Sequence, residues 1–324
     1  MELILTDKNG KDIKSLVFYS ADFDIGGEND FEITISLEDW QPEIDFGCRV
    51  YEPASECGGI INSIQTNTAD NNIKVKGLLW RGLLSNRIIE PPDGKDYKTV
   101  SGDINEVIKE IVEDKFDGVL KAFDIETEVS VSNYKFERYC TVLDGLTNML
   151  KSVGFRLKIR YVQGEAGNSG YAEISAVPVV DYSDSIELSQ DTKLNFTIEF
   201  NRGSVNHLIC LGSGELKDRE VVDLYLQEDS SIGKTKYFKG IEEITQTYES
   251  SNSEDLEADG IKHFKELIKG TSLSMDVESL SIEAEIGDII GGRDYITGMS
   301  VKKALASKII TFETVKSVQY NLEE

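Results

Sequence analysis

Histidine, proline and positive charge are scarce in this chain, which has two histidines, five prolines and 34 Lys and Arg against 59 Asp and Glu in 324 residues. The resulting net charge of −25 opposes generic binding to phosphate backbones, where Lys and Arg must replace counterions. General acid/base, triad and metal chemistry draw heavily on His, and neither histidine has a suitable setting. His207 lies in the strand-like run Asn206-His207-Leu208-Ile209-Cys210 and reads as a packed or edge residue. His263, between Lys262 and Phe264, reads as a solvated residue on a helix. His207 and Cys210, three apart on a strand, point to opposite faces, so a Cys-His dyad is geometrically poor. The four cysteines, Cys48, Cys57, Cys140 and Cys210, include no C-x-x-C pair and read as reduced thiols made in a cytoplasm. The longest apolar runs are four or five residues, against the roughly 18 to 20 needed to cross a bilayer. The first residues lack the basic-then-apolar pattern of a secretion signal, so none is expected. Catalytic, cofactor and metal sites are therefore expected to be absent.

What is present is a globular composition, 40% hydrophobic and 29% charged, at a length that implies two or three domains. Leu3–Thr6, the turn Asp7–Asp12, then Ile13 and the run Leu16–Tyr19 read as strand, turn, strand. The D-x-N-G-x-D string resembles the start of a calcium loop, but its twelfth position is Phe18, not an acid. Phe31, Ile33, Ile35 and Leu37 alternate with Glu32, Thr34, Ser36 and Glu38, the period of a sheet wet on one face. Strands around Cys48–Glu52, Gly59–Thr68 and Ile73–Leu79 complete a first small barrel or sandwich, 1–90.

Pro91-Pro92-Asp93-Gly94 marks a boundary, and 91–190 reads as an α+β segment. One helix is capped by Ser101 or Asp103 and ends near Asp117-Gly118, and a second spans about Thr141–Ser152 and stops at Gly154. Strands Phe155–Arg160 and Ala172–Val177 follow. Region 191–324 returns to β with a helical insertion around 216–272, including a polar helix over about Ser253–Lys269. Gly212-Ser213-Gly214 lacks the third glycine of a dinucleotide site. Strands are expected at Leu280–Glu285, Asp288–Gly291, Met299–Ala306 and Lys308–Leu322. A loose internal echo sets Gly47–Val50, Ile60–Thr66 and Ile73–Val75 beside Gly287–Ile290, Ile309–Thr314 and Val318–Tyr320. The expected fold class is β-rich α+β, with two small β-barrels flanking the α+β insert.

Several strings in this order resemble the tail hub, or baseplate hub, proteins of tailed bacteriophages, prophages and phage-tail-like bacteriocins. They are Phe23-Asp24-Ile25-Gly26-Gly27-Glu28-Asn29-Asp30-Phe31, Gly58-Gly59-Ile60-Ile61, the stretch Gly77–Arg87 before the double proline, Gly212–Arg219, Tyr237–Glu243 and Ile286–Asp294. The resemblance implies a structural homotrimer at the distal end of the tail tube, adapting sixfold tube to threefold tip. Its implied partners are the tube or distal tail ring, the tape-measure protein and the tip or spike protein, without membrane binding. Its implied location is the virion tail, after synthesis in the host bacterial cytoplasm. Some such hubs continue into a peptidoglycan-cleaving domain, and the present sequence stops at Glu324.

No Lys or Arg occurs from Ser15 to Cys48, whereas Asp22, Asp24, Glu28, Asp30, Glu32, Glu38, Asp39, Glu43 and Asp45 are acidic. In the hub context, Asp22, Asp24, Glu28, Asp30, Glu32, Glu38 and Asp39 are the expected acidic channel lining past which DNA slides without sticking. A solvated, solubilising sheet face is the plain alternative. Two other functions fit less of the sequence: a cell-wall hydrolase using a carboxylate pair, and a carbohydrate or receptor-binding module using Trp40, Trp80, Tyr97 or Tyr134 as stacking platforms.

Overall fold

Alternating apolar and polar residues can bury one face of a strand only if neighbouring strands hold the register, and in this protein the pairing runs further along the chain than the alternation suggests. The computed structural model describes residues 2–113, 115–165, 167–183, 187–188, 195–199, 204–228, 231–251, 255–268, 272–276, 284–293, 296–298 and 300–323. Two compact units emerge, Met1–Phe196 with Ser274–Glu323, and Thr197–Leu273.

The first unit opens with β1 (Ile4–Thr6), β2 (Asp12–Ser15), β3 (Ser20–Ile25), β4 (Asp30–Ser36), β5 (Arg49–Tyr51), β6 (Gly58–Asn67) and β7 (Asn72–Leu79). At the β1–β2 turn the Asp7 carboxylate accepts the Asn9 and Lys11 amides at 2.8 and 2.9 Å, so the D-x-N-G string closes a hairpin. Gly10 takes φ +86° there, where side chains are strained. A short helix α1 (Trp80–Ser85), absent from the sequence reading, continues directly from β7. Then come β8 (Thr99–Asp103), α2 (Ile104–Val112), β9 (Leu120–Ala122), β10 (Ser130–Lys135), α3 (Val142–Lys151), β11 (Phe155–Val162), β12 (Tyr171–Pro178) and β13 (Glu187–Leu188). Asp103 caps α2 by accepting the Asn105 amide at 2.8 Å, and Thr141 caps α3 through the Asp144 amide at 3.0 Å. The α2 helix ends at Glu113, short of the expected Asp117-Gly118.

After β14 (Asn195–Glu199), the second unit holds β15 (His207–Leu211), β16 (Val221–Leu226), β17 (Ile232–Gly233), β18 (Thr245–Glu249) and α4 (Leu256–Leu267). Its four-stranded sheet has the order β17-β16-β15-β18. Leu208, Cys210 and Leu224 pack against Leu256 and Phe264 of α4, which Asp255 caps. The chain returns through β19 (Ser272–Asp276), which pairs β14, to β20 (Ile289–Arg293), β21 (Ser300–Phe312) and β22 (Lys316–Leu322) in the first unit. The expected strand Leu280–Glu285 falls mostly outside the described residues.

Two corrections follow from β21. Met299–Ala306 and Lys308–Leu322 were expected as a pair turning at Ser307, but Ser300–Phe312 is one strand with a register shift between Leu305 and Ser307. Ser307 therefore sits at a bulge, and the chain turns after Phe312. The barrels are likewise not separate. Residues Ser300–Ala304 of β21 pair β20, and Lys308–Phe312 pair Ile25–Ala21 of β3, fusing the C-terminal strands to the N-terminal ones. The resulting sheet has eleven strands in the order β13-β20-β21-β3-β4-β7-β6-β5-β1-β2, with β22 on β21, and no closed ring among the described residues. The strand β6 pairs β5 over Gly58–Ile60 and β7 over Gly59–Asn67, and β21 pairs β20 over Ser300–Ala304 and β22 over Leu305–Phe312, each long strand carrying a register shift.

Two hydrophobic cores lie in this unit. One fills the sheet with Phe23, Phe31, Ile33, Val75, Ile310 and Phe312. The other gathers α2, α3, β11 and β12 around Trp80, Ile104, Ile108, Leu146 and Ile159. Tyr161 stacks between Tyr51, centroid 3.9 Å away, and Trp80, at 5.0 Å. A buried ion pair, Arg81 Nε to Glu56 Oε1 at 2.7 Å, joins α1 to the β5–β6 turn.

Candidate functional site

Strand alternation sends Ala21, Phe23, Ile25, Phe31, Ile33 and Ile35 into the core, so Asp22 and Asp24 of β3 and Asp30 and Glu32 of β4 occupy the opposite face. Cross-strand register brings them together, with Asp22 opposite Glu32 and Asp24 opposite Asp30. Glu28 is exposed in the β3–β4 turn, where Asn29 at φ +56° accepts the Gly26 amide at 2.9 Å. Five of the seven expected lining residues thus share one face or its turn. Glu38 and Asp39 do not: they lie exposed in the 3-10 turn Leu37–Asp39 that follows β4. Glu43 and Asp45 are each paired with a lysine, Lys14 and Lys8, at 2.7 Å.

The face is not uniformly acidic. On β7, Lys74 and Lys76 point the same way as Glu32, with Lys76 directly opposite it in register. Glu32 binds both, Lys74 through Oε1 and Lys76 through Oε2 at 2.5 Å. Burial opposes ionisation of Glu32, but the Lys74 and Lys76 ammoniums outweigh it and hold the carboxyl below its usual range. Asp30 shifts the other way, upward, through burial first and then the Asp24 and Glu28 charges. One oxygen of Asp24 is buried with no hydrogen-bond partner among the described residues. The two lysines were missed in the sequence because they lie outside the 15–48 stretch. The alternation of Ile73, Val75 and Gly77 with Lys74 and Lys76 was the signal, and register was needed to use it.

His207 lies between Glu243 Oε1 at Nδ1 and Asp223 Oδ1 at Nε2, both 2.8 Å, and stacks on Tyr225. Its ring tethers β15 to β16 and to the loop before β18. Trp80 is fully buried, which removes it as a sugar platform, and Trp40 is partly buried against the sheet core. Among the described residues no group of three or more His, Cys, Asp or Glu side chains is placed to hold a metal ion, and no helix is long and apolar enough to cross a membrane.

No protein-family model and no curated protein sequence matches the chain. Solved structures match over its whole length. The prophage MuSo2 43 kDa tail protein from Shewanella oneidensis aligns with a TM-score of 0.60 at 13% identity, covering 100% of this chain and 98% of that one. Prophage tail protein gp18 from Listeria monocytogenes EGD-e aligns with a TM-score of 0.54 at 12% identity, covering 99% and 94%. The tail protein from Neisseria meningitidis MC58 gives 0.52 at 14%, covering 100% and 96%. The chain has the fold of prophage tail proteins. In this tail-protein fold the acidic face belongs to the strands β3 and β4, the same strands that receive β21 from the far end of the chain.

Proposed function

We propose that this tail-fold chain is the structural hub of a phage tail or phage-tail-like particle. In this reading it is a homotrimer at the distal end of the tube, in contact with the tube or distal tail ring, the tape-measure protein and the tip or spike. It adapts sixfold tube to threefold tip, works by assembly without catalysis, and resides in the virion tail after synthesis in the host cytoplasm. The observation that carries the reading is the likeness to prophage tail proteins over 100% of the chain. The three segments 1–90, 91–190 and 191–324 then act as tube-forming, α+β and tube-forming parts. The matched β5-β6-β7 and β20-β21-β22 arrangements supply each chain with two similar wall elements, six in a trimer. Open sheet edges are a pairing liability in isolation, and a ring of neighbours covers them.

The face built by Asp22, Asp24, Asp30 and Glu32, with Glu28 at its turn, lines the channel in this reading. Carboxylates at this density repel a passing phosphate backbone. Electron microscopy of the purified assembly tests the whole. A threefold ring with a central channel supports the hub, and a monomer that releases sugar from purified cell wall overturns it in favour of a hydrolase.

A further inference from the structure

We propose that Glu32 acts as a mask for Lys74 and Lys76, keeping these two lysines of the acidic face from engaging DNA. The inference rests on the channel reading of that face and adds a named residue to it.

Across the sheet, Asp22, Glu32, Lys76 and Ser63 form one cross-strand row, and Thr34, Lys74 and Gln65 form the next. Glu32 thus meets Lys76 directly and Lys74 on the diagonal, the two positions from which side chains on paired strands can touch. Its two oxygens are divided between them, one to each ammonium. Without Glu32 two ammoniums would stand two residues apart on β7, about 7 Å by strand rise, on a surface over which DNA is to slide. Lys74 and Lys76 side chains are 37% and 39% exposed, so phosphate could reach them once they are free. Among the carboxylates of β3 and β4, Glu32 alone is directly opposite a lysine, Asp30 facing Leu78. Asp22 faces Glu32 and Thr311, and Asp24 faces Asp30 and Ile309, so neither is directly opposite a lysine.

The masking effect differs from that of bulk charge, and paired variants of the full chain separate the two. Glu32→Gln raises the net charge by one and frees both lysines, whereas Asp22→Asn with Asp24→Asn raises it by two and leaves both pairs intact. Binding of short duplex DNA is read by fluorescence anisotropy from about 50 mM salt upward. Expected is measurable binding for E32Q with a log–log salt slope of about −1.8, the value for two phosphate contacts. No binding is expected for the wild type, the double Asn variant, or E32Q carrying Lys74→Gln and Lys76→Gln. Should E32Q fail to fold by circular dichroism, Glu32→Thr, suited to a strand, gives the same comparison. Binding by the double Asn variant as strong as by E32Q, or none by either Glu32 variant, overturns the mask. These outcomes are read on the chain itself, so the absence of a ring in microscopy would sink the hub reading without deciding this one.

Discussion

Asp30 and Glu32 stand two residues apart on the same face of β4, and their environments push their carboxyls in opposite directions. Asp30 is raised by burial and by Asp24 and Glu28, so the folded state holds its proton above the pH at which the unfolded chain releases it. Stability therefore falls as pH rises through that window, and the wild type carries the cost at neutral pH. Asp30→Asn is expected to raise Tm by about 1–2 °C at pH 7, on the order of 0.5 kcal/mol after solvent screening. That gain should vanish below the unfolded pKa near 3.8. Glu32 is lowered, so its contribution is present above about 4.5 and is lost as pH falls through the folded value. Glu32→Gln should lower Tm by a similar amount at pH 7 and by nothing in strong acid. Calorimetry of both variants from pH 3 to 8 checks the opposite signs, and parallel pH profiles would contradict the register of this face. The thiols offer an independent check. Burial pushes Cys57 up to about 12, aided by Glu52, and Cys48 and Cys210 are buried as well. Only half-buried Cys140 should react readily with a thiol reagent in the native protein, and Cys140→Ser should remove that fast phase. Rapid modification of two or more thiols would show the cores to be looser than described.

Between strands, close approach decides more than hydrophobicity. A Cβ on Gly77 of β7 would stand 1.9 Å from the Ile60 carbonyl oxygen of β6 and 2.8 Å from the Phe31 ring. Backbone cannot give way cheaply, so Gly77→Ala should cost about 1–3 kcal/mol in denaturant unfolding. Glu56→Ala, which strands Arg81 with its side chain 5% exposed, should cost about 3–5 kcal/mol. An unchanged midpoint for either would mean the β6–β7–α1 junction is built otherwise. Sequence revealed the elements whose causes are local. The α2 and α3 starts follow from Asp103 and Thr141, and the end of α3 precedes Gly154 at φ +75°. The outward position of Asp22, Asp24, Asp30 and Glu32 follows from alternation alone. What escaped the sequence depends on pairing over long separations. The β3–β21 pairing joins Ala21–Ile25 to Lys308–Phe312, and no local pattern encodes it. The bulge at Leu305–Ser307 hid the continuity of β21, and the lysine partners of Glu32 required the β4–β7 register.

For the whole molecule, the first and last strands share one sheet with no closed ring among the described residues, so in the proposed hub the tube-wall geometry comes from neighbouring copies. Those copies each carry −25 charges, so their association works against long-range repulsion that salt screens over a Debye length of about 8 Å at 0.15 M. Trimerisation should therefore strengthen with ionic strength, the reverse of DNA binding through lysines, which weakens with it. Light scattering is expected to give about 108 kDa, three times the 36.1 kDa chain, at 0.15 M salt and above, with dissociation as salt is lowered. A mass near 36.1 kDa at every ionic strength would leave the chain a monomer and remove the ring. Where the ring forms, charge reversal tests its lumen. Asp22→Lys, Asp24→Lys and Asp30→Lys together should leave the mass unchanged, since these side chains point away from the core. They should nevertheless make the assembled ring retain duplex DNA at 0.15 M salt with a steep salt dependence, because three added lysines reverse the field along one face. Normal infectivity of a particle carrying this triple variant would show that DNA does not pass this face, even though the ring itself is correctly built.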